Sequence, residues 1–294
     1  MEPIDPRRER RFTTRTHGIV ARDADVAIVL RRGPARRVRL LRWNLADDTI
    51  EPGQWLAGSV VARDCGVSSD GALFVYFARK GEQTFTAVSR PPYFTALACW
   101  KTSQLRSGTG GGFFVDEDHL VLRVTHDPDH GQRPPGLTVS DVWSYLPWSG
   151  NARSPAPRTF GEAYLEAPAA HQGWLRVAGR WIKAHPRDPA IILERATPLG
   201  RPGPYRIERS ADGAQTTLFE RPALDWADWT RDGSVVFGEL GRLHRQRIAA
   251  GSNEVTAERT VVADLTTHEF KSIEAPAGST EWPSSLGGKR RHGR

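Results

Sequence analysis

The sequence predicts an all-β fold, a single β-propeller of about five blades. Three observations lead there. A unit recurs along the chain, an Asp in a turn followed by a short β-prone run. No long stretch sustains the 3.6-residue apolar period of a helix. The 28 Gly and 21 Pro in 294 residues suit many short strands joined by tight turns.

The first unit is Asp25 before Val26-Ala27-Ile28-Val29-Leu30. The second is Asp70-Gly71 before Ala72–Phe77, and the third is Asp118-His119 before Leu120–Val124. Asp188-Pro189 before Ala190–Leu193 and Asp232-Gly233 before Ser234–Phe237 complete the set. Their spacings are 45, 48, 70 and 44 residues. A second strand is expected after each, at Arg37–Trp43, Thr84–Ser89, Val139–Leu146, Tyr205–Arg209 and Leu243–Ile248. Asp-Gly turns tolerate the left-handed backbone that tight connections need, and the β-branched and aromatic runs suit buried strands. Two Pro/Gly/Ser-rich insertions, His126–Pro135 and Ser149–Pro157, account for the long spacing. The one helix candidate is Thr159–Ala170, expected to end at Pro168. Thr260–Leu265 is expected to return to the first blade and close the ring, removing open edges. The domain is placed at residues 18–276, with a basic flexible arm at 1–17 and a basic flexible tail at 277–294.

The strongest pair of units is Val67-Ser68-Ser69-Asp70-Gly71 and Trp229-Thr230-Arg231-Asp232-Gly233. These units resemble the Ser-X-Asp-Gly repeats of TolB-like and WD-type propellers. The first third also resembles bacterial propeller-like proteins of unknown function. That likeness rests on Arg32-Gly33-Pro34, Gly53-Gln54-Trp55, Asp70-Gly71, Tyr76-Phe77-Ala78 and Thr84–Tyr93, over roughly residues 30–115 and more weakly the rest. The resemblance implies a fold and offers no catalytic residues to carry over.

The net charge of +7 is unevenly placed. Residues 1–42 hold 12 Arg against five acids, for +7, and the segment from Ser285 adds +4. The remainder, 43–284, is therefore 7 − 7 − 4 = −4. Basic ends can follow nucleic-acid phosphates, whereas the body is mildly acidic. Cys65 and Cys99 follow no metal-binding spacing, which suggests a reducing cytoplasm. No apolar run approaches a membrane span, and no apolar stretch follows the N-terminal arginines as in a secretory signal.

Chemistry-bearing clusters are sparse. Thr109-Gly110-Gly111-Gly112-Phe113 lacks the Lys of a phosphate loop and reads as a turn with close backbone approach. His126-Asp127-Pro128-Asp129-His130 lies in a loop, where its spacing says little about a metal. Asp64, Asp70, Glu162, Glu166, Asp225, Asp228 and Asp232 invite a carboxylate-pair hydrolase reading. Gly-X-Ser-X-Gly is absent. Of the ten Trp, most are expected to pack between blades, with Trp55 the best candidate for exposure after its polar turn. Trp143, Trp148, Trp226 and Trp229 are further candidates for stacking platforms. Arg90-Pro91-Pro92-Tyr93 would present Arg90 and Tyr93 at one face of the ring.

These readings converge on a non-enzymatic binding or protein-interaction module with its ligand surface at one mouth of the ring. Its expected partner is a protein or a small polar ligand, with no cofactor and no metal. The expected ligand-binding residues are Trp55, Asp64, Arg90, Tyr93, Trp226 and Asp228. A carbohydrate-active hydrolase with carboxylates in the channel is the first alternative, because similar five-bladed propellers include such enzymes. Nucleic-acid binding through the basic ends is the second.

Overall fold

The computed structural model describes residues 14–102, 109–124, 127–133, 136–145, 160–196, 201–211, 214–248, 259–284 and 286. Among these, the strands form five sheets that follow one another along the chain. The first holds β1 (Arg15–Val20), β2 (Val26–Arg32), β3 (Arg37–Asn44) and β4 (Ile50–Ala57) in that order. The second holds the short β5 (Ser59–Val60) and β6 (Gly66–Val67), both paired with β7 (Phe74–Lys80), then β8 (Gln83–Ser89) and β9 (Ala96–Thr102). In the third, β10 (Gly112–Phe114) pairs with β11 (His119–Leu122). The chain then crosses back, so that β12 (His130–Gly131) edges the second sheet on β9. It returns as β13 (Thr138–Asp141), which runs parallel to β11.

Two helices follow, α1 (Val142–Tyr145) and α2 (Phe160–His171). The fourth sheet is β14 (Leu175–Val177), β15 (Arg180–Ala184), β16 (Ile191–Arg195), β17 (Gly203–Ala211) and β18 (Ala214–Leu224). The fifth is β19 (Trp226–Trp229), β20 (Val235–Glu239), β21 (Arg242–Gln246) and β22 (Arg259–Asp264).

The recurring Asp has a local job. Asp70 Oδ1 accepts from Ser68 Oγ at 2.6 Å and from Ala72 N at 3.0 Å. Asp232 Oδ1 accepts from Thr230 Oγ1 and, at 3.0 Å, from Ser234 N. The carboxylate thus replaces backbone partners in the turn, and Gly71 and Gly233 take the left-handed backbone at φ +74° and +87°. The same bond recurs at Asp188, which accepts from Ala190 N. In the third unit Asp116 rather than Asp118 fills this place, accepting from Asp118 N. In the first, the bond from Ala21 N to Val26 O matches that from Ser68 N to Leu73 O, which aligns Asp23, not Asp25, with Asp70.

The continuous apolar runs are explained by burial on both faces. From β2, Ile28 and Leu30 pack with Phe74 and Tyr76 of β7. The alternate residues Ala27 and Val29 pack with Trp226, Val236 and Leu243 of the fifth sheet. From β7, Val75 turns the other way, to Phe114, Leu120 and Leu122 of the third sheet. Ile191, Leu193 and Ile207 of the fourth sheet meet Val235 and Phe237 of the fifth. The sheets therefore stack face to face in a ring, which is the β-propeller arrangement. Helix α2 occupies the remaining seam: Ala167 packs with Phe113 and Val121 of the third sheet, and Ala169 with Trp174, Trp181 and Ile191 beside the fourth.

The ring closes where the first and fifth sheets meet. Asp225 Oδ2 accepts from Thr16 N at 2.9 Å, and Trp226 Nε1 donates to Thr16 Oγ1 at 3.2 Å. The indole lies against Gly18 of β1 and Gly238 of β20, where an added Cβ would overlap the ring or its nitrogen.

Several expectations change. Arg259–Asp264 pairs with β21 and stays in the fifth sheet, because β1 already supplies the first sheet with its inner strand. The expected strand Val139–Leu146 stops at Asp141 and gives way to α1. Helix α2 continues past Pro168 to His171, its burial of Ala167 and Ala169 offsetting the missing N–H. Strand β1 reaches into the expected arm 1–17, with Thr16 and His17 buried in it. It also reaches into the expected tail 277–294: Ala277–Ser279 form a 3-10 turn and Leu286 is buried beside Trp282. His126 and Ser149–Pro157 lie outside the described residues.

Two predictions follow from the seam. Gly18→Ala forces a methyl into the Trp226 ring and lowers stability by about 1–3 kcal/mol, read as a lower urea midpoint at unchanged slope. His17 is buried beside Arg32 and Arg195, and burial first, then those cations, pulls its pKa down to about 3. A depressed pKa means the folded state holds His17 neutral, so its contribution is present above about pH 6.5 and is lost as pH falls towards 3. The urea midpoint should therefore drop between about pH 7 and 4, and His17→Asn should shrink that drop.

Candidate functional site

One strand from each sheet delivers its C-terminal end to one mouth of the ring. β1 brings Ile19–Arg22, β6 brings Val67 and the following Ser69, and β10 brings Phe113–Val115. β15 brings Lys183 and Ala184, β19 brings Trp229–Arg231, and the end of α2 adds His171. Together they enclose a cavity of ≈ 190 Å³. That volume holds a cluster of waters or one large side chain.

The floor is apolar, made by Ile19, Val67, Phe113 and Trp229. The charges on the wall are all cationic, and among the described lining residues there is no carboxylate. Arg22 donates Nη1 to Val115 O at 2.9 Å and Nε to Asp23 Oδ2 at 3.3 Å, and Arg231 donates Nη1 to Asp23 O at 3.2 Å. Both side chains are exposed at the rim. Lys183 Nζ lies 2.6 Å from Asp228 Oδ1 in a pair that is 18% and 6% exposed. Asp228 sits behind the wall, also accepting from Trp229 N at 2.7 Å. Burial pushes its carboxyl up, and Lys183 pulls it back. His171 stacks on Phe113 at 4.5 Å and meets Tyr145 OH at 3.2 Å. Burial, Arg22 and His119 lower its pKa, which keeps the ring neutral near pH 7.

The six expected site residues are dispersed. Asp228 reaches the mouth only through Lys183. Asp64 follows β5 and forms a buried ion pair with Arg123, against the backbone of Gly111. Trp226 is 2% exposed in the seam, a packing residue rather than a platform. Arg90 donates to Gly278 O at 2.5 Å and so lies against the C-terminal segment, while Tyr93 N donates to Arg90 O within the same loop. Trp55 stands on β4, the strand of the first sheet farthest in order from β1. It contacts Phe270 edge-on at 5.7 Å, with Arg31 and Arg39 at 5.2 and 5.4 Å from its ring centre.

The other carboxylates are likewise committed. Asp70 and Asp232 hold their turns, Asp225 holds Thr16, and Glu166 pairs with Arg176 at 2.6 Å. The Glu162, Trp143 and Trp148 side chains and His126 lie outside the described residues. Among the described residues, no group of three or more His, Cys, Asp and Glu could hold a metal ion. The glycine run does make close approaches: Gly111 N donates to Thr86 Oγ1 at 2.7 Å, and a Cβ on Gly110 would strike the Phe77 ring.

The rim cations escaped notice in the sequence, yet a signal existed. Arg22, Ser69 and Arg231 each stand just before the turn Asp of their unit. The X of Ser/Thr-X-Asp is thus the position that faces the mouth.

No protein-family model matches the chain, and no curated protein matches it. Solved structures similar to it include the β-propeller domain of Swd1 from Myceliophteria thermophila, at 8% identity over 85% of this chain and 71% of that one, with TM-score 0.24. An uncharacterized protein of Listeria monocytogenes is similar at 8% identity over 87% and 85%, with TM-score 0.30. The Dos1 propeller is similar at 9% identity over 76% and 51%, with TM-score 0.26.

Lys183→Met should leave Asp228 buried without its cation and cost about 3 kcal/mol. Adding Asp228→Asn should recover most of that loss in a double-mutant cycle by urea unfolding.

Proposed function

We propose that this propeller is a non-enzymatic interaction module that takes an acidic, partly apolar segment of a protein partner at the mouth ringed by Arg22, Lys183 and Arg231. The observation that carries this reading is the sign of the wall. The stretch 43–284 has a net charge of −4, yet the described residues that line the mouth are cationic, polar or apolar, and the Asp23 carboxylate beside them at the rim pairs only with Arg22 Nε at 3.3 Å. A carboxylate side chain would meet Arg22 and Arg231 at the rim, and a neighbouring apolar side chain would fill the floor. Hydrolysis of a glycosidic bond would need two carboxylates facing one pocket, and this wall supplies none among its described residues.

A reducing compartment such as the cytoplasm suits the two free thiols. Burial pushes Cys65 up to about 12 and Cys99 up to about 11, so both stay protonated and unreactive. No described helix is long and apolar enough to cross a membrane.

The test is a panel of short acidic peptides with one apolar residue beside the acids, read by fluorescence anisotropy. The expected result is salt-sensitive binding to the wild-type chain and a loss of about tenfold or more in Arg22→Glu/Arg231→Glu, with the melting temperature held. No binding to the wild type, or equal binding to both, overturns the proposal.

A further inference from the structure

A second concave site lies away from the mouth, on the first sheet. β2 and β3 bring Arg31, Arg37 and Arg39, β4 brings Trp55, and the segment after β22 brings His268 and Phe270. All but Arg39, which stands behind Trp55 and His268, border an open pocket of ≈ 520 Å³, within the range of small-molecule sites. We propose that this pocket binds a small phosphorylated ring compound, with its phosphate on Arg37 beside the Arg31 cation and its ring against Phe270.

The charge is the first argument. Three guanidinium groups gather here, and none of them meets a carboxylate among the described residues. Arg31 donates to Leu265 O at 3.1 Å, Thr14 Oγ1 at 3.2 Å and the carbonyl of Gly33. Arg39 donates to Gly53 O at 3.3 Å and lies 3.1 Å from His268 Nδ1. Arg37 is exposed, its guanidinium stacks over Phe270 at 4.3 Å, and its side chain holds no hydrogen bond among those described. The wall's one acid, Glu269, is exposed and pairs with none of them.

Such crowding has a cost that an anion would relieve. Burial and Arg39 lower the pKa of Arg31, and burial, Arg39 and Arg31 lower that of His268. Packing on Trp55 accounts for Arg31 and Arg39, which flank the indole. It leaves Arg37 with its donors turned to no acceptor.

The shape and chemistry then choose the anion. Two arginines on the wall, Arg31 and Arg37, with Arg39 behind them and a single carboxylate opposite, favour a doubly charged phosphate over a single carboxylate. Pro34, Trp55 and Phe270 supply an apolar flank beside them, and Phe270 is 38% exposed. A ring carried by the phosphate has a surface to lie on there.

The experiment uses the full chain and calorimetric titration at low salt, with adenosine 5′-monophosphate, ribose 5-phosphate, adenosine and inorganic phosphate as probes. The expected order is adenosine 5′-monophosphate tightest, with ribose 5-phosphate and inorganic phosphate weaker and adenosine weakest. Arg37→Glu should weaken adenosine 5′-monophosphate about tenfold or more at unchanged melting temperature, because Arg37 is exposed. Phe270→Ala should weaken adenosine 5′-monophosphate and leave ribose 5-phosphate alone. The mouth variant Arg22→Glu/Arg231→Glu should bind every probe as the wild type does, which separates this site from the mouth. The proposal is overturned if no phosphate compound binds, if Arg37→Glu binds equally, or if adenosine matches its monophosphate. Binding of a single-stranded oligonucleotide without binding of the monophosphate also overturns it.

Discussion

The ring depends on one seam, where Trp226 is held between two glycines. Gly18 and Gly238 have no side chains, so the indole lies flat against both strands while its N–H reaches Thr16. Asp225 fastens the same Thr16 through its backbone N–H. Beside the apolar packing, further polar contacts across this seam include Arg31 on Leu265 O, Arg231 on Asp23 O, and Arg245 on Leu45 O and on Asp48 Oδ1 at 3.0 Å. A propeller can close by lending a strand from one end of the chain to the other. This one closes through side chains, and every described strand of the first and fifth sheets comes from its own end of the chain.

The mouth inherits its geometry from that closure. β1 and β19 carry Arg22 and Arg231 to the rim, and the seam sets their separation. On the far side of the ring, α2 takes the place of direct sheet-to-sheet packing between the third and fourth sheets. Its last turn brings His171 to the mouth as a consequence. The buried ion pairs Asp64–Arg123 and Lys183–Asp228 flank this arrangement, each tying an inner segment to a neighbouring sheet. Such pairs contribute little net stability over apolar packing, but removing one partner is costly, so they favour one register of the sheets.

Much of the fold was legible because turn chemistry is local. A carboxylate two residues after Ser68 or Thr230 bonds within its own turn, so its position shows without any tertiary contact. The strands behind it showed for the same reason, as apolar runs buried on both faces. Where the turn residue was ambiguous, the reading slipped by two positions, to Asp25 for Asp23 and Asp118 for Asp116. The site was much less legible. Trp226 and Asp64 look like ligand readers by residue type, but neighbouring sheets bury both. Arg22 and Arg231 look like ordinary surface arginines until five strand ends are brought together.

The sequence alone determined the all-β class, the unit of repetition and the uneven placement of charge, because each follows from contacts within a few residues or from composition. Tertiary structure alone decided which sheet β22 joins, where α2 lodges and which side chains share a cavity. These outcomes turn on packing between residues about two hundred positions apart, such as Thr16 and Asp225. A single chain's residue order carries no local trace of such pairings, since either partner would look the same had the ring closed another way.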